Sequence, residues 1–136
     1  MEHTLSTELR HLIYTAILAM FLWVPYILAE LKMTGVVKAL SYPDERLLPK
    51  WGERLKRAHY NLVENLTPFA IAVIAGELMG VHNTLTATCA IVFFWARLAH
   101  PIAQVTRIWG ARTVTFAAGA TAVVVYLFAL LLAATT

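Results

Sequence analysis

Four long apolar blocks alternate with short polar stretches along the chain. Residues 12–29 run for 18 positions without a charge, and residues 113–136 for 24. A hydrocarbon layer about 30 Å thick needs roughly 20 helical residues to cross it. The pattern predicts spans at about residues 9–31, 55–80, 84–105 and 112–134. These blocks are continuous, unlike the short alternating segments of a membrane barrel. The fold class expected is therefore all-α: an integral membrane four-helix bundle, one domain over residues 1–136. The first block is too long for a signal peptide. Short connections after the second and third spans require antiparallel, up-down neighbours. Pro25 and Pro68 predict kinks inside their spans, and Gly119 with residues 118–122 predicts a small-residue face for close helix contact. Ser41, Tyr42, Pro43, Asp44 and Pro49 predict a turn-rich first connection.

Composition sharpens this picture. The 136 residues are 60% hydrophobic and only 14% charged, with a mean hydropathy of +0.66. A water-exposed globule carries about 25% charged residues, so a soluble domain, a disordered linker and a disulfide scaffold are excluded. The single cysteine, Cys89, allows no intrachain bridge. The basic pI of 9.2 does not argue for a nucleic-acid partner, because the positive charges flank spans, where they set orientation. The first connection holds Lys32, Lys38, Arg46, Lys50, Arg54, Lys56 and Arg57, and the third holds Arg107 and Arg112. The second connection has none, and the N-terminal tail only Arg10. Connections one and three are thus expected to be cytoplasmic and both termini to lie across the membrane, periplasmic if the host membrane is a bacterial inner membrane. Trp51 and Trp109 suit the cytoplasmic interface.

The chemistry is expected where charge is expensive. An ionised side chain at mid-membrane costs on the order of 2.5–3.5 kcal/mol on insertion scales. Arg57, Asn61 and Glu64 recur at i, i+4 and i+7, which puts them on one face of the second span. Arg97, His100 and Gln104, at i, i+3 and i+7, likewise share a face of the third span, and Arg112, Thr113 and Thr115 open the fourth. All share one membrane side. Such a layer can bind a zwitterion through complementary charges; equally, Glu64 can be neutralised by Arg57 or Arg97 and merely lock helices together. Arg97 is the structural ion-pair candidate, with Glu64 its expected partner. His100 can be structural or functional. Glu77, about 20 Å further along the helix, is expected to be an isolated interfacial residue. Glu30 and Lys38 can join the layer or be plain loop charges. No metal-ligand grouping stands out.

The stretch Arg57-Ala58-His59-Tyr60-Asn61-Leu62-Val63-Glu64-Asn65-Leu66-Thr67-Pro68-Phe69 closely resembles the signature of the MAPEG family, the membrane-associated proteins in eicosanoid and glutathione metabolism. Arg97-Leu98-Ala99-His100 is similar to that family's third-helix pattern, and Arg112-Thr113-Val114-Thr115 to the start of its fourth helix. The likeness, of the bacterial type related to microsomal glutathione transferases, extends over all four spans. It implies a homotrimer that binds glutathione as co-substrate near the cytoplasmic face, between subunits. By motif position it implies Arg57, Asn61 and Glu64 as holders of the glutathione peptide. His100, Lys38 and Thr113 would add contacts, and Arg112 would be the catalytic arginine facing the thiol. Three departures stand out. Tyr60 replaces a second arginine of the prostaglandin synthase motif, and Gln104 and Phe116 replace tyrosines.

The resemblance implies a membrane-bound glutathione-dependent transferase or peroxidase, acting on lipophilic electrophiles or lipid hydroperoxides that arrive from the bilayer. A non-catalytic lipid binder or scaffold of the same fold is the alternative, and a proton-coupled exporter with Glu64 as carrier is a third reading.

Overall fold

The computed structural model describes residues 4–41, 44–45 and 47–135. They fold into six helices: α1 (Thr7–Leu22), α2 (Val24–Thr34), α3 (Val36–Leu40), α4 (Lys50–Met79), α5 (Thr84–Thr106) and α6 (Ala111–Ala133). There is no strand among the described residues. Four helical stretches, Thr7–Thr34, Lys50–Met79, Thr84–Thr106 and Ala111–Ala133, are long and apolar enough to cross a membrane. The shortest have 23 residues, about 34 Å at 1.5 Å per residue. The expected all-α, four-span architecture is what the chain adopts.

Local chemistry explains the boundaries. Ser6 caps α1 by accepting from the Leu9 amide at 3.1 Å. Asn83 and Thr86 form a reciprocal capping box at the start of α5, satisfying donors that a helix N-terminus otherwise leaves open. Pro25 has no N–H and separates α1 from α2 at Trp23, as a proline inside a span does. Pro68 and Pro101, by contrast, sit inside unbroken helices. The second span begins earlier than its hydropathy suggests. Helix α4 starts at Lys50, so Lys50 and Arg54 stand on a helix and not in a loop. An apolar window marks where a helix enters hydrocarbon, whereas these charged residues are good helix formers that extend it beyond. Pro49 is the residue before α4. Of the turn-rich connection expected around residues 41–44, Tyr42 and Pro43 lie outside the described residues, as does Arg46.

Helices α4, α5 and α6 surround a core of Phe69, Ala72, Val73, Cys89, Ala90, Phe93, Ala122, Val123, Tyr126 and Leu130. Phe69 and Phe93 stack with ring centroids 4.0 Å apart. Helix α1 packs against both α4 and α5, and α2 against α4. Outside, large apolar side chains such as Met20, Phe21, Leu28, Leu78, Phe128 and Leu131 are exposed. Apolar surface this extensive suits lipid better than water. The bundle has two polar ends. One carries α3, the start of α4, the 107–110 turn and the start of α6, with nearly all the arginines and lysines. The other carries residues 4–8 and the 80–83 turn.

Candidate functional site

At the basic end, α4, α5 and α6 diverge around a cavity of about 290 Å³ lined by Arg57, Asn61, His100, Gln104, Arg112, Thr113 and Phe116. Residues from three spans converge here: 57 and 61 from α4, 100 and 104 from α5, and 112, 113 and 116 from α6. A second cavity of about 300 Å³ adjoins it and shares Gln104, Arg112 and Thr113, adding Arg54, Arg107 and Gly110 among its walls. Arg112 stands between the two. Neither wall includes a carboxylate among the described residues, although Arg57 also borders a third hollow whose wall includes Glu53. Arg107 ends α5 in the left-handed region at φ +59°, a conformation that costs an L-residue roughly 1–2 kcal/mol.

Beneath the first cavity lies Arg97, 1% exposed. Its Nη1 donates to Asn61 Oδ1 at 2.8 Å. Its guanidinium carbon sits 5.2 Å from the Phe93 ring centre and 5.4 Å from that of Phe116, within the reach of cation–π attraction. On α6, a Cβ at Gly119 would stand 2.9 Å from Arg97 Nε and Nη2. The absent side chain is what makes room for the cation, and this is the main use of the small-residue face expected around that glycine. Arg97 therefore does not pair with Glu64. The expected ion pair is replaced by an amide partner, because Glu64 lies on an exposed face of α4 while Asn61, one turn earlier, turns inward. No ion pair of Glu64 with Arg57 forms among the described residues either.

His100 is nearly as buried as Arg97, at 3% exposure. Its Nδ1 lies 3.0 Å from Thr115 Oγ1. The Thr115 hydroxyl also reaches the Ala111 carbonyl at 2.8 Å and that of Arg112 at 3.1 Å. A hydroxyl has one proton to give. With that proton on a carbonyl, Oγ1 accepts from the His100 Nδ1–H, and Nε2 keeps its lone pair. Nε2 then faces the Gln104 amide, 3.5 Å away. Thr115 thus orients His100, a role its place in the sequence did not reveal.

Other expectations fall elsewhere. Lys38 is exposed on the short α3 and lines neither cavity; Gly35, at φ +82°, redirects the chain between α2 and α3. Glu30 is buried on α2. Nearby, Tyr26 and His59 Nδ1 hydrogen-bond at 2.8 Å and tie α2 to α4. Glu77 is not isolated. At the far end it accepts from Ser6 Oγ and lies 3.6 Å from His82 Nε2. Buried Glu8 accepts from Thr86 Oγ1 and lies 3.9 Å from His82 Nδ1. Ser6 and Glu77 are 71 residues apart in sequence, and Glu8 and Thr86 78, so only the fold brings these pairs together. No group of three or more metal-ligating side chains occurs among the described residues.

Compared with known families, the sequence matches the profile described as MAPEG family over residues 11–133. Among curated proteins, no match is found.

Proposed function

The chain belongs to the MAPEG family, and from that premise we propose that it is a membrane-bound glutathione-dependent transferase or peroxidase. The observation that carries this reading is the acid-free cavity beside Arg112, lined by Arg57, Asn61 and His100. Glutathione has two carboxylates and one ammonium, so it is net anionic before its thiol ionises. Arginines suit its carboxylates through planar, charge-assisted hydrogen bonds.

Arg112 is the proposed catalytic residue. A cation close to sulfur favours thiolate over thiol. Lowering a thiol pKa from about 9 to about 7 takes roughly 2.7 kcal/mol, at 1.36 kcal/mol per unit. A guanidinium in a partly desolvated pocket can supply that. The thiolate then attacks an electrophilic carbon, forming a C–S bond as the leaving group departs with its electron pair. With a hydroperoxide, two glutathiones are oxidised to the disulfide while the peroxide is reduced to an alcohol and water. Thr113 and His100 would contact the peptide. Lipophilic substrate would arrive from the bilayer.

The outward position of Arg57 and Glu64 favours a homotrimer. A carboxylate facing hydrocarbon costs on the order of 2.5–3.5 kcal/mol, and a neighbouring subunit covering α4 would remove that penalty. It would also let Glu64 take the glutathione ammonium, and let Lys38 reach a neighbour's site. In this reading residues 1–136 form one four-span domain. The basic end is cytoplasmic and both termini are periplasmic, in a bacterial inner membrane. Adding glutathione to the purified protein should raise thiolate absorbance near the ultraviolet edge, and Arg112→Ala should abolish it. Absence of that signal in the wild type at saturating glutathione defeats the enzymatic reading.

One observation favours a second reading. Gln104 and Phe116, both departures from family tyrosines, line the cavity itself, so two phenol hydroxyls are lost where ligand would sit, one of them replaced by an amide. A lipid-binding or scaffold member would tolerate that. Calorimetric titration with glutathione separates the readings, since a scaffold gives no heat.

A further inference from the structure

We infer that Arg97 and Gly119 are positioning residues that turn the Asn61 amide so that it offers a hydrogen-bond donor, not its oxygen, to a ligand in the cavity. The identity of that ligand rests on the glutathione reading above; the orientation of the amide does not. A guanidinium can only donate. The Asn61 atom 2.8 Å from Arg97 Nη1 is therefore Oδ1, because the flipped amide would set N–H against N–H. With Oδ1 engaged beneath, Nδ2 is the polar edge left for the cavity that Asn61 lines. A donor there docks a carboxylate or peptide carbonyl oxygen and rejects an ammonium. This divides the work along α4: Asn61 reads an acceptor, whereas Glu64, one turn on, can read only a donor.

Burial of Arg97 makes little sense on its own account. Its Nε and Nη2 are buried with no hydrogen-bond partner among the described residues, and buried unsatisfied donors weaken a fold. The rings of Phe93 and Phe116 and the gap at Gly119 hold the cation in place. Among the described residues only Nη1 finds a hydrogen-bond partner, and that bond goes to a residue of the cavity wall. The cation is retained for what it does to Asn61. Gly119 is required because any side chain on it would meet Nε and Nη2 at 2.9 Å, against the rigid end of a stacked guanidinium.

The test uses full-length wild type, Asn61→Asp and Gly119→Ala in lipid nanodiscs, with glutathione titrated by calorimetry and thermal unfolding followed in parallel. Asn61→Asp sets a carboxylate against Arg97, so its melting temperature should rise, yet it has no N–H to offer and its affinity for glutathione should fall at least tenfold. Gly119→Ala leaves the charge of the site unchanged and should weaken binding about fivefold in the folded fraction. Stabilisation and binding thus move in opposite directions in Asn61→Asp, and Gly119→Ala, which adds no charge, separates loss of the oriented donor from repulsion of an anion by the new carboxylate. Wild-type affinity in Gly119→Ala, or in both variants, overturns the inference. So does a fall in the melting temperature of Asn61→Asp, whatever glutathione does. No heat with the wild type overturns the glutathione reading alone, and the melting temperatures then decide the amide orientation by themselves.

Discussion

The two polar ends of this bundle use charge in opposite ways. At the far end both carboxylates among the described residues, Glu8 and Glu77, have company. Ser6 donates to Glu77, Thr86 donates to Glu8, and His82 stands within 4 Å of both. At the basic end, Arg54, Arg57, Arg107 and Arg112 line two adjoining cavities that include no carboxylate in their walls. Mutually satisfied groups hold helices together and have fewer free bonds to give a ligand, even though Glu8 and His82 border an open hollow of about 710 Å³. Like charges gathered around a hollow do the reverse, since they repel one another until an anion arrives. The contrast is a physical ground, independent of any relative, for the proposal that one end is structural and the other binds.

Substitutions at the two ends should separate these roles, and the largest effect is expected at Arg112. Arg112→Ala should reduce glutathione-dependent turnover by about a hundredfold or more, as removal of a charge-stabilising donor does, with the melting temperature nearly unchanged. Glu8→Gln should do the opposite. It weakens a buried charge-assisted hydrogen bond to Thr86, so unfolding should ease by about 1–3 kcal/mol, while glutathione titrates as in wild type. If Glu8→Gln loses binding, or Arg112→Ala loses stability, the division between the ends fails.

Salt gives the next effect. Exposed guanidiniums attract an anion through a field that ionic strength screens, with a Debye length of about 10 Å at 0.1 M and 3 Å at 1 M. Glutathione affinity should fall by about an order of magnitude across that range, whereas thermal stability, which rests on buried pairs, should hardly move. Equal salt sensitivity of both would mean that the basic end is part of the structural framework.

How much of this was legible beforehand depends on the range of the interactions involved. The four spans follow from local hydropathy, and the shared face of Arg57 and Asn61 follows from helical periodicity. The start of α4 at Lys50 does not, because nothing apolar marks a helix that continues beyond hydrocarbon. Convergence of three spans on one cavity was foreseeable from their common membrane side. The partner of Arg97 was not. Asn61 and Glu64 lie within one turn of each other on the same helix, and the rotation of α4 that turns one inward and the other outward is a property of packing. Likewise Glu77 looked solitary because Ser6 is 71 residues away, and the shared layer of Thr115 and His100 did not show that the two side chains meet.

The smallest effect is the most instructive about the ligand. Phe116 lines the cavity and stacks at 5.4 Å on the Arg97 guanidinium. Phe116→Tyr keeps that ring and its cation–π contact while adding one hydroxyl to a wall that already favours an anion. A single neutral hydrogen bond is worth about 0.5–1.5 kcal/mol net, so affinity for glutathione should rise about threefold, with stability unchanged. Calorimetry of the single variant against wild type measures it directly. A gain would mean that this chain kept the geometry of a glutathione site and gave up the contact at position 116. A loss would mean that the wall at position 116 is shaped for an apolar group, which is what a lipid-binding member of the fold requires.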